Sequence, residues 1–405
     1  MRILLLVDSC FPSKRSSAKH MRDLAIELAG RGHEVVLAAP DPTSSERIRI
    51  VDEDGFTALR VSSGTLKGAG RVIRTINEWR LSSQLWSAGK QFFREHPCDL
   101  IVAYSPTIFF GALIHRLKKM WGCPVFLVLR DIFPQWTVDA GVLREGSPIL
   151  GLFRRKERLL YAACDVIAVQ SPANLRYFRE RGWDKRYKLD VLYNWAKGDD
   201  SADRATRLRT ELGLEGKVVL FFGGNLGVQQ DMDNLVRLAE NLRDEPDVRI
   251  VLMGEGSEVP RIEQRLAVGD LDNLILRPGV DQQTYLDLLR EFDVGLITLD
   301  RRLKHQNFPG KLFGYMAVSM PVLASVNPGN DLRQILEEHE AGLVCENGED
   351  ELFRDHALRL VRDAQLRAKL GANGRRLLDS KFSVSGAADQ ILAHFPSTAA
   401  QVSKR

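Results

Sequence analysis

Two kinds of stretch alternate along this chain, and the alternation restricts its fold more than any single motif does. Short, β-rich apolar runs occupy residues 2–7, 34–39, 99–104, 124–129 and 165–170. Between them lie segments with apolar residues at helical spacing, such as Met21, Leu24, Ala25 and Leu28 within 18–31, or the run 108–121. Strands that are apolar throughout need cover on both faces, and a helix between successive strands makes them parallel. A strand at 187–193 is followed by the polar connector 195–201, and the pattern then restarts. Strands at 218–222, 248–253, 274–277, 294–298 and 322–324 enclose helices at 234–242, 259–266, 283–291 and 311–318. The reading is an α/β chain of two doubly wound parallel sheets in tandem, domain 1–195 and domain 196–383, with a hinge near 195–205. An amphipathic helix at 384–395 fits either domain.

A chain of 405 residues, 44% hydrophobic and 27% charged, is long enough for two such cores. Its five cysteines are far apart in sequence and form no Cys-x-x-Cys, which points to reduced thiols and not to a disulfide frame or a zinc site. Met1–Asp8 is too short for a signal peptide and reads as strand, and no apolar run would cross a bilayer, so a cytoplasmic protein is expected. The charge is uneven. The first 195 residues hold 30 Lys and Arg against 20 Asp and Glu, and the remainder 27 against 33. A basic half joined to an acidic half implies that one of them meets an anionic surface.

Three loops carry the chemistry, and in a doubly wound sheet they meet at one carboxyl edge. Strand 218–222 runs into Gly223-Gly224-Asn225-Leu226-Gly227-Val228-Gln229-Gln230, and strand 248–253 into Gly254-Glu255-Gly256. The third stretch, His305-Gln306-Asn307-Phe308-Pro309-Gly310-Lys311, opens a helix whose apolar face holds Leu312, Phe313 and Met316. A helix end offers N–H groups and a positive dipole, and with the Lys311 ammonium this combination binds phosphate. An ordinary αβ connection with a solvated lysine would read the same way. A dinucleotide loop is disfavoured, because Gly224-x-x-Gly227 lacks the full glycine spacing. In the first half Asp131 follows a buried strand directly. It suits an acid that orients or deprotonates a hydroxyl, and equally an N-cap for the turn at 132–136. His20 and His33 read as helix-surface residues, and His305 lies beside the phosphate loop. Asp-x-Asp occurs at 52–54, 231–233 and 270–272, and turn or helix-start positions account for all three, so no metal is expected.

Several of these residues together resemble family 4 glycosyltransferases of the GT-B fold. They are Arg31-Gly32-His33-Glu34-Val35, Arg130-Asp131-Ile132-Phe133-Pro134, Asn194-Trp195, Gly224-Asn225-Leu226-Gly227, Pro309-Gly310-Lys311 and Met316-Ala317-Val318-Ser319-Met320-Pro321-Val322. The resemblance spans essentially the whole chain and is nearest to bacterial enzymes of O-antigen and capsule synthesis, including the fucosamine transferase type. It implies two Rossmann-like domains facing a cleft, a nucleoside-diphosphate sugar (UDP before GDP) on the second and a polyprenyl-diphosphate-linked acceptor on the first. It also implies retention of anomeric configuration, with no cofactor. Carried over position by position, it puts donor contacts at Gly224, Asn225, Gly227, Gln230, Gly254, Glu255, Gln306, Pro309, Gly310 and Leu312. Lys311 and Asp131 would be the catalytic pair, with Ser16 and Ser17 in the first-domain loop where relatives have glycines. The chain departs from the family at Gln306 and Gly314, which replace two glutamates. Asn225, Gln229 and Gln230 likewise stand where an arginine and a lysine commonly meet the diphosphate.

Bases interleave with aromatics in the first half: Lys67, Arg71 and Arg74 precede Trp79–Arg94, Lys118 and Lys119 precede Trp121, and Arg154–Arg158 form a third group. Such a pattern suits the anionic inner face of a membrane, with the protein held peripherally. Solvated helix faces with aromatics in the core are the plainer account. No nucleic-acid recognition motif accompanies the charge. The expected activity is a metal-independent, retaining glycosyl transfer of an N-acetylated hexosamine or deoxyhexosamine. A UDP-sugar epimerase and a non-catalytic sugar-nucleotide binding module are the alternatives.

Overall fold

A computed structural model describes residues 1–13, 15–64, 71–105, 107–139, 141–198, 207–304 and 308–396; at Arg71, Val72, Arg74, Gln282 and Gln283 it describes the backbone only. The chain divides into two compact units, Met1–Asn194 joined by the segment from Val384, and Trp195–Ser383. Each unit is a predominantly parallel sheet with connecting helices, an α/β architecture.

The first unit opens with β1 (Arg2–Leu6), α1 (Ser16–Gly30), β2 (Glu34–Asp41), β3 (Ile48–Glu53) and β4 (Phe56–Ser62). It continues through α2 (Arg71–Glu95), β5 (Leu100–Ser105), α3 (Gly111–Trp121) and β6 (Val125–Leu129). Then come α4 (Gln135–Asp139), α5 (Pro148–Ala163), β7 (Val166–Val169), α6 (Leu175–Arg179) and β8 (Leu189–Val191). The sheet order is β3-β4-β2-β1-β5-β6-β7-β8, parallel except for the antiparallel edge pair β3–β4. Residues of β5 and β6 are buried on both faces, as strands covered by helices require. The edge hairpin turns at Asp54-Gly55, both at positive φ, which is the geometry that matches strand twist.

The second unit holds α7 (Leu208–Glu211), β9 (Val218–Asn225), α8 (Met232–Asn241), β10 (Val248–Glu255), α9 (Val259–Leu266) and β11 (Leu274–Arg277). After these come α10 (Gln282–Leu289), β12 (Val294–Thr298), α11 (Gly310–Ala317), β13 (Val322–Val326), α12 (Asp331–Glu338), β14 (Gly342–Glu346), α13 (Asp350–Arg362) and α14 (Ala364–Lys381). Its sheet is all parallel in the order β11-β10-β9-β12-β13-β14. The order reverses direction between β9 and β12, the place where a doubly wound sheet opens a crevice.

The last helix, α15 (Val384–Ala393), belongs to the first unit. Arg31, just past the end of α1, reaches Asp389 at 2.5 Å and the Ser385 carbonyl at 2.9 Å. On the other side Gln390 donates to Asp190 and to the Val191 carbonyl, both at 2.8 Å. The Arg31–Val35 motif therefore contains a clasp for a helix more than 350 residues downstream.

Candidate functional site

In the second unit the crevice has a definite origin. The β9–β10 ladder runs to Gly254↔Gly224 and Glu255↔Asn225, whereas the β9–β12 ladder ends at Gly295↔Phe221. From Phe222 onward β9 keeps one neighbour and parts from the other. Tyr315 of α11 closes the first step of the gap: its buried hydroxyl lies 3.2 Å from the Phe221 and Leu296 carbonyls and accepts from the Gly223 N–H at 3.4 Å. Its ring also requires Gly295, where a Cβ would come within 2.4 Å.

Beyond that step the wall is bare backbone. A Cβ on Gly254 would lie 1.7 Å from the Gly224 carbonyl oxygen, and one on Gly256 would lie 2.2 Å from that of Leu226. These glycines are fixed by the approach of β9 to β10, which the Leu226 N–H bond to the Glu255 carbonyl at 2.9 Å continues. Gly224 is at φ +116°, a conformation that favours glycine, and is exposed. Asn225 and Glu255 project at the rim, both exposed. Gly227 is buried, and a Cβ there would come within 2.6 Å of the Asn225 amide nitrogen.

α11 aims its N-terminus at this wall. Pro309 takes the N-cap position, one residue earlier than a first-turn proline, and its carbonyl accepts from the Leu312 N–H at 3.0 Å. Leu312 is fully buried, so the helix end offers only the Gly310 and Lys311 N–H groups, which have no acceptor within the helix. A Cβ at Gly310 would meet nothing within 4 Å, which leaves the approach open.

Lys311 completes the cluster. Its ammonium donates to Gln230 Oε1 at 2.8 Å and lies 3.3 Å from the centre of the Phe222 ring. Part of the side chain remains exposed, but the charged end is desolvated, and burial holds its pKa well below the usual lysine value with no acid compensating. A cation in this state is stabilised by an arriving anion. Lys311, Gln230, Gly224 and Gly254 are thus brought together as the sequence implied. Phe222 and Tyr315 were not foreseen, since each reads as core until the parting of β9 and β12 is known. Gln306 and His305 lie outside the described residues. At Gly314, one of the replaced glutamates, a Cβ would face Leu289 and Tyr285 at 3.3 and 3.6 Å.

The Asp pairs sit as structural positions. Asp231 caps α8 by position at φ +47° and its carboxylate accepts from Asn347 at 2.9 Å, while Asp233 pairs with Arg261. Asp54 pairs with Arg22, and Asp270 with Arg243 and Arg265.

The first unit has its own polar edge. Ser16 and Ser17 form the first turn of α1, not a loop, and Ser17 Oγ lies 2.8 Å from Ser9 Oγ. His20 is buried and not on a helix surface. Its Nδ1 is 3.1 Å from the Tyr104 hydroxyl, and burial lowers its pKa to about 3 while raising that of Tyr104 to about 12. Arg130 is buried and donates to the Leu192 and Tyr193 carbonyls at 2.7 and 3.1 Å. Asp131, next to it, is exposed and stands just before the turn that the Trp136 N–H closes on the Ile132 carbonyl at 3.0 Å, while α4 itself begins at Gln135.

The basic and aromatic groups need correction. Trp79, Trp86, Phe92 and Trp121 pack against the core of the first unit and Phe93 lies within it. Arg154 turns inward to Glu157, Tyr177 and Gln135. Lys67 lies outside the described residues, as do the side chains of Arg71 and Arg74. No helix among the described residues is long and apolar enough to cross a membrane.

Two families match the chain in succession. Residues 17–195 match the family described as glycosyl transferase 4-like domain, and residues 205–377 the glycosyl transferases group 1. Among curated relatives, the putative colanic acid biosynthesis glycosyl transferase WcaI of Escherichia coli K12 is 25% identical over 85% of this chain and 88% of its own. The probable glycosyltransferase WbjE of Pseudomonas aeruginosa is also 25% identical, over 56% of this chain and 58% of its own length. Among solved structures, Anabaena HepE in complex with UDP superposes with a TM-score of 0.67 at 17% identity, covering 100% of both chains.

Proposed function

We propose that this chain, a GT-B glycosyltransferase of the family 4 type, moves a sugar from a nucleoside diphosphate to a polyprenyl-diphosphate-linked acceptor with retention. The donor sugar is an N-acetylated hexosamine or deoxyhexosamine carried on UDP, and the product belongs to a bacterial surface polysaccharide such as O-antigen, capsule or exopolysaccharide. The relative named for colanic acid synthesis and the neighbour solved with UDP support this reading. The observation that carries it is the desolvated Lys311 ammonium over Phe222, beside a helix N-terminus and a glycine wall.

Each group then has a task. Gly224 and Gly254 let the donor lie against backbone, Asn225 and Glu255 form the rim that meets it, and buried Gly227 leaves room for the Asn225 amide behind that rim. Gln230 holds the Lys311 ammonium in place, and Lys311 with the Gly310 N–H meets the diphosphate. As the bond from the anomeric carbon to the diphosphate oxygen breaks, charge grows on that oxygen, and a preorganised ammonium stabilises it without reorganisation. On the first unit Asp131 orients the acceptor hydroxyl and takes its proton. No step calls for a metal. The polyprenyl acceptor places the protein peripherally on the inner face of the cytoplasmic membrane.

The test is incubation with a panel of UDP- and GDP-sugars, with and without a polyprenyl-diphosphate acceptor, in EDTA. The expected result is nucleoside diphosphate released only when acceptor is present, and an axial anomeric linkage kept by NMR for an α-linked donor. An isomerised free sugar nucleotide would make the chain an epimerase, and binding without turnover would make it a binding module.

A further inference from the structure

The outer face of α5 shows solvent a row that a water-facing helix does not need. Ile149, Leu152, Lys156 and Leu159 follow one another at three- and four-residue spacing over about 15 Å. The three apolar members are 57%, 45% and 37% exposed. α2 carries a matching row, Ile73 and Ile76 at 57% and 51% exposure followed by Arg80 and Ser83. The rows converge on a cleft of about 130 Å³ lined by Trp79, Arg80, Ser83, Ala112, Lys156 and Leu159. There the Lys156 ammonium lies 4.2 Å over the Trp79 ring.

Cations flank the apolar residues throughout. Arg80, Arg116, Lys119, Arg155 and Arg158 are exposed and Lys156 is half-buried. None of the six is ion-paired among the described residues. The acids of this region are engaged elsewhere: Glu157 is fully buried against Tyr177, Glu145 sits 4.0 Å from Arg154, and Glu78 is half-buried. A second copy docking by the same face would set cation against cation. An anionic lipid surface suits both parts, because branched side chains settle at the headgroup boundary while Lys and Arg reach lipid phosphates.

We propose that α2, α3 and α5 form a docking face for an anionic phospholipid bilayer, with the Ile and Leu rows inserted and the six cations on lipid phosphates. It keeps Arg80, Lys119, Arg155, Lys156 and Arg158 from the groups read in the sequence, and puts exposed Ile and Leu side chains in place of the packed tryptophans as the inserted residues. The proposal rests on the reading that the acceptor is membrane-borne, and it can fail separately from that reading.

The experiment uses the full chain with phosphatidylcholine vesicles, with and without phosphatidylglycerol. Sedimentation with the phosphatidylglycerol vesicles, weakened by salt, is expected. Each cation contributes about fivefold in affinity, so Arg155→Glu, Lys156→Glu and Arg158→Glu together lower it on the order of 100-fold. Leu152→Ser with Leu159→Ser lowers it on the order of tenfold or more and leaves the salt dependence as it was. The control, Arg179→Glu with Lys185→Glu and Lys188→Glu, makes the same charge change at exposed sites off the face and should leave binding unchanged. An equal loss in the control overturns this face while leaving a basic, membrane-associated unit. Absence of any binding to phosphatidylglycerol vesicles overturns the face and the peripheral reading alike, while turnover of a water-soluble acceptor would still uphold the transferase. A dimer in solution that the two serines dissociate would give the face to a second copy and overturn the lipid proposal.

Discussion

Replacing Lys311 by methionine keeps the length of the stem and removes only the charge. In the resting protein that charge has two favourable contacts, the 2.8 Å bond to Gln230 and the Phe222 ring at 3.3 Å. A hydrogen bond to a charged group contributes about 1.5–3 kcal/mol, and an ammonium over a ring about 0.5–2 kcal/mol. Against them stands the removal of an ammonium from water with no carboxylate beside it, which costs several kcal/mol. The terms offset, so the variant should differ in stability by no more than about 1 kcal/mol, or ~4 °C in Tm for a unit of this size. In the transition state nothing offsets the loss. One missing oxyanion contact costs about 2.7–4 kcal/mol, or ~10²–10³ in turnover. Initial rates of nucleoside diphosphate release, set beside a thermal melt of the same preparation, measure both. A rate within tenfold of the parent, or a rate loss that tracks unfolding, refutes the phosphate role of Lys311.

Three further outcomes follow from the same geometry. Because burial lowers the Lys311 pKa and a diphosphate would raise it again, UDP binding should take up a proton, and affinity should fall as pH rises through the interval between the two values. Calorimetry in buffers of different ionisation heat reads that uptake, which should vanish in Lys311→Met; the same depressed pKa means the unfolded chain holds more protons between the folded value and the ordinary lysine value, so the stability of the free protein should rise with pH across that second range. Gly254→Ala forces β9 from β10 at their closest approach, which should cost about 1–3 kcal/mol, lower Tm by roughly 2–12 °C and weaken UDP binding in a titration. Tyr315→Phe leaves the Gly223 N–H and two carbonyls without their shared hydroxyl, and a denaturant midpoint lowered by about 1–3 kcal/mol at unchanged slope is expected.

What could be read in advance depended on how local its cause was. Buried parallel strands carry their signal in six or so residues, so most strands of both sheets were read close to where they lie. The β3–β4 hairpin was missed although Asp54-Gly55 between two β-rich runs is a local signal. The start of α5 was also visible in Ser147-Pro148, a cap followed by a first-turn proline, and Ser147 Oγ accepts from the Leu150 N–H at 3.3 Å. His20 shares the buried face of α1 with Ser17, Met21 and Leu24, so its burial follows from spacing. The environment of Lys311 was not legible, because the Phe222 ring is available only where β9 and β12 separate, and that is a property of sheet order. Nor was the home of α15, since an apolar helix face is the same whichever core it covers.

That home has a consequence for how the protein comes into being. The first unit takes a helix from Val384–Ala393, so the part synthesised first cannot be finished until all of Trp195–Ser383 has left the ribosome. At about 5–20 residues per second the wait lasts roughly 10–40 s. Through that interval Arg31 has no Asp389 and Asp190 has no His394 or Gln390. The ring of Phe126, which α15 and the residues after it cover with His394 and Phe395, stays open to whatever else is in solution. The earliest domain to emerge is the last to close, and the nascent chain is most exposed to chaperones and proteases on the half that is oldest.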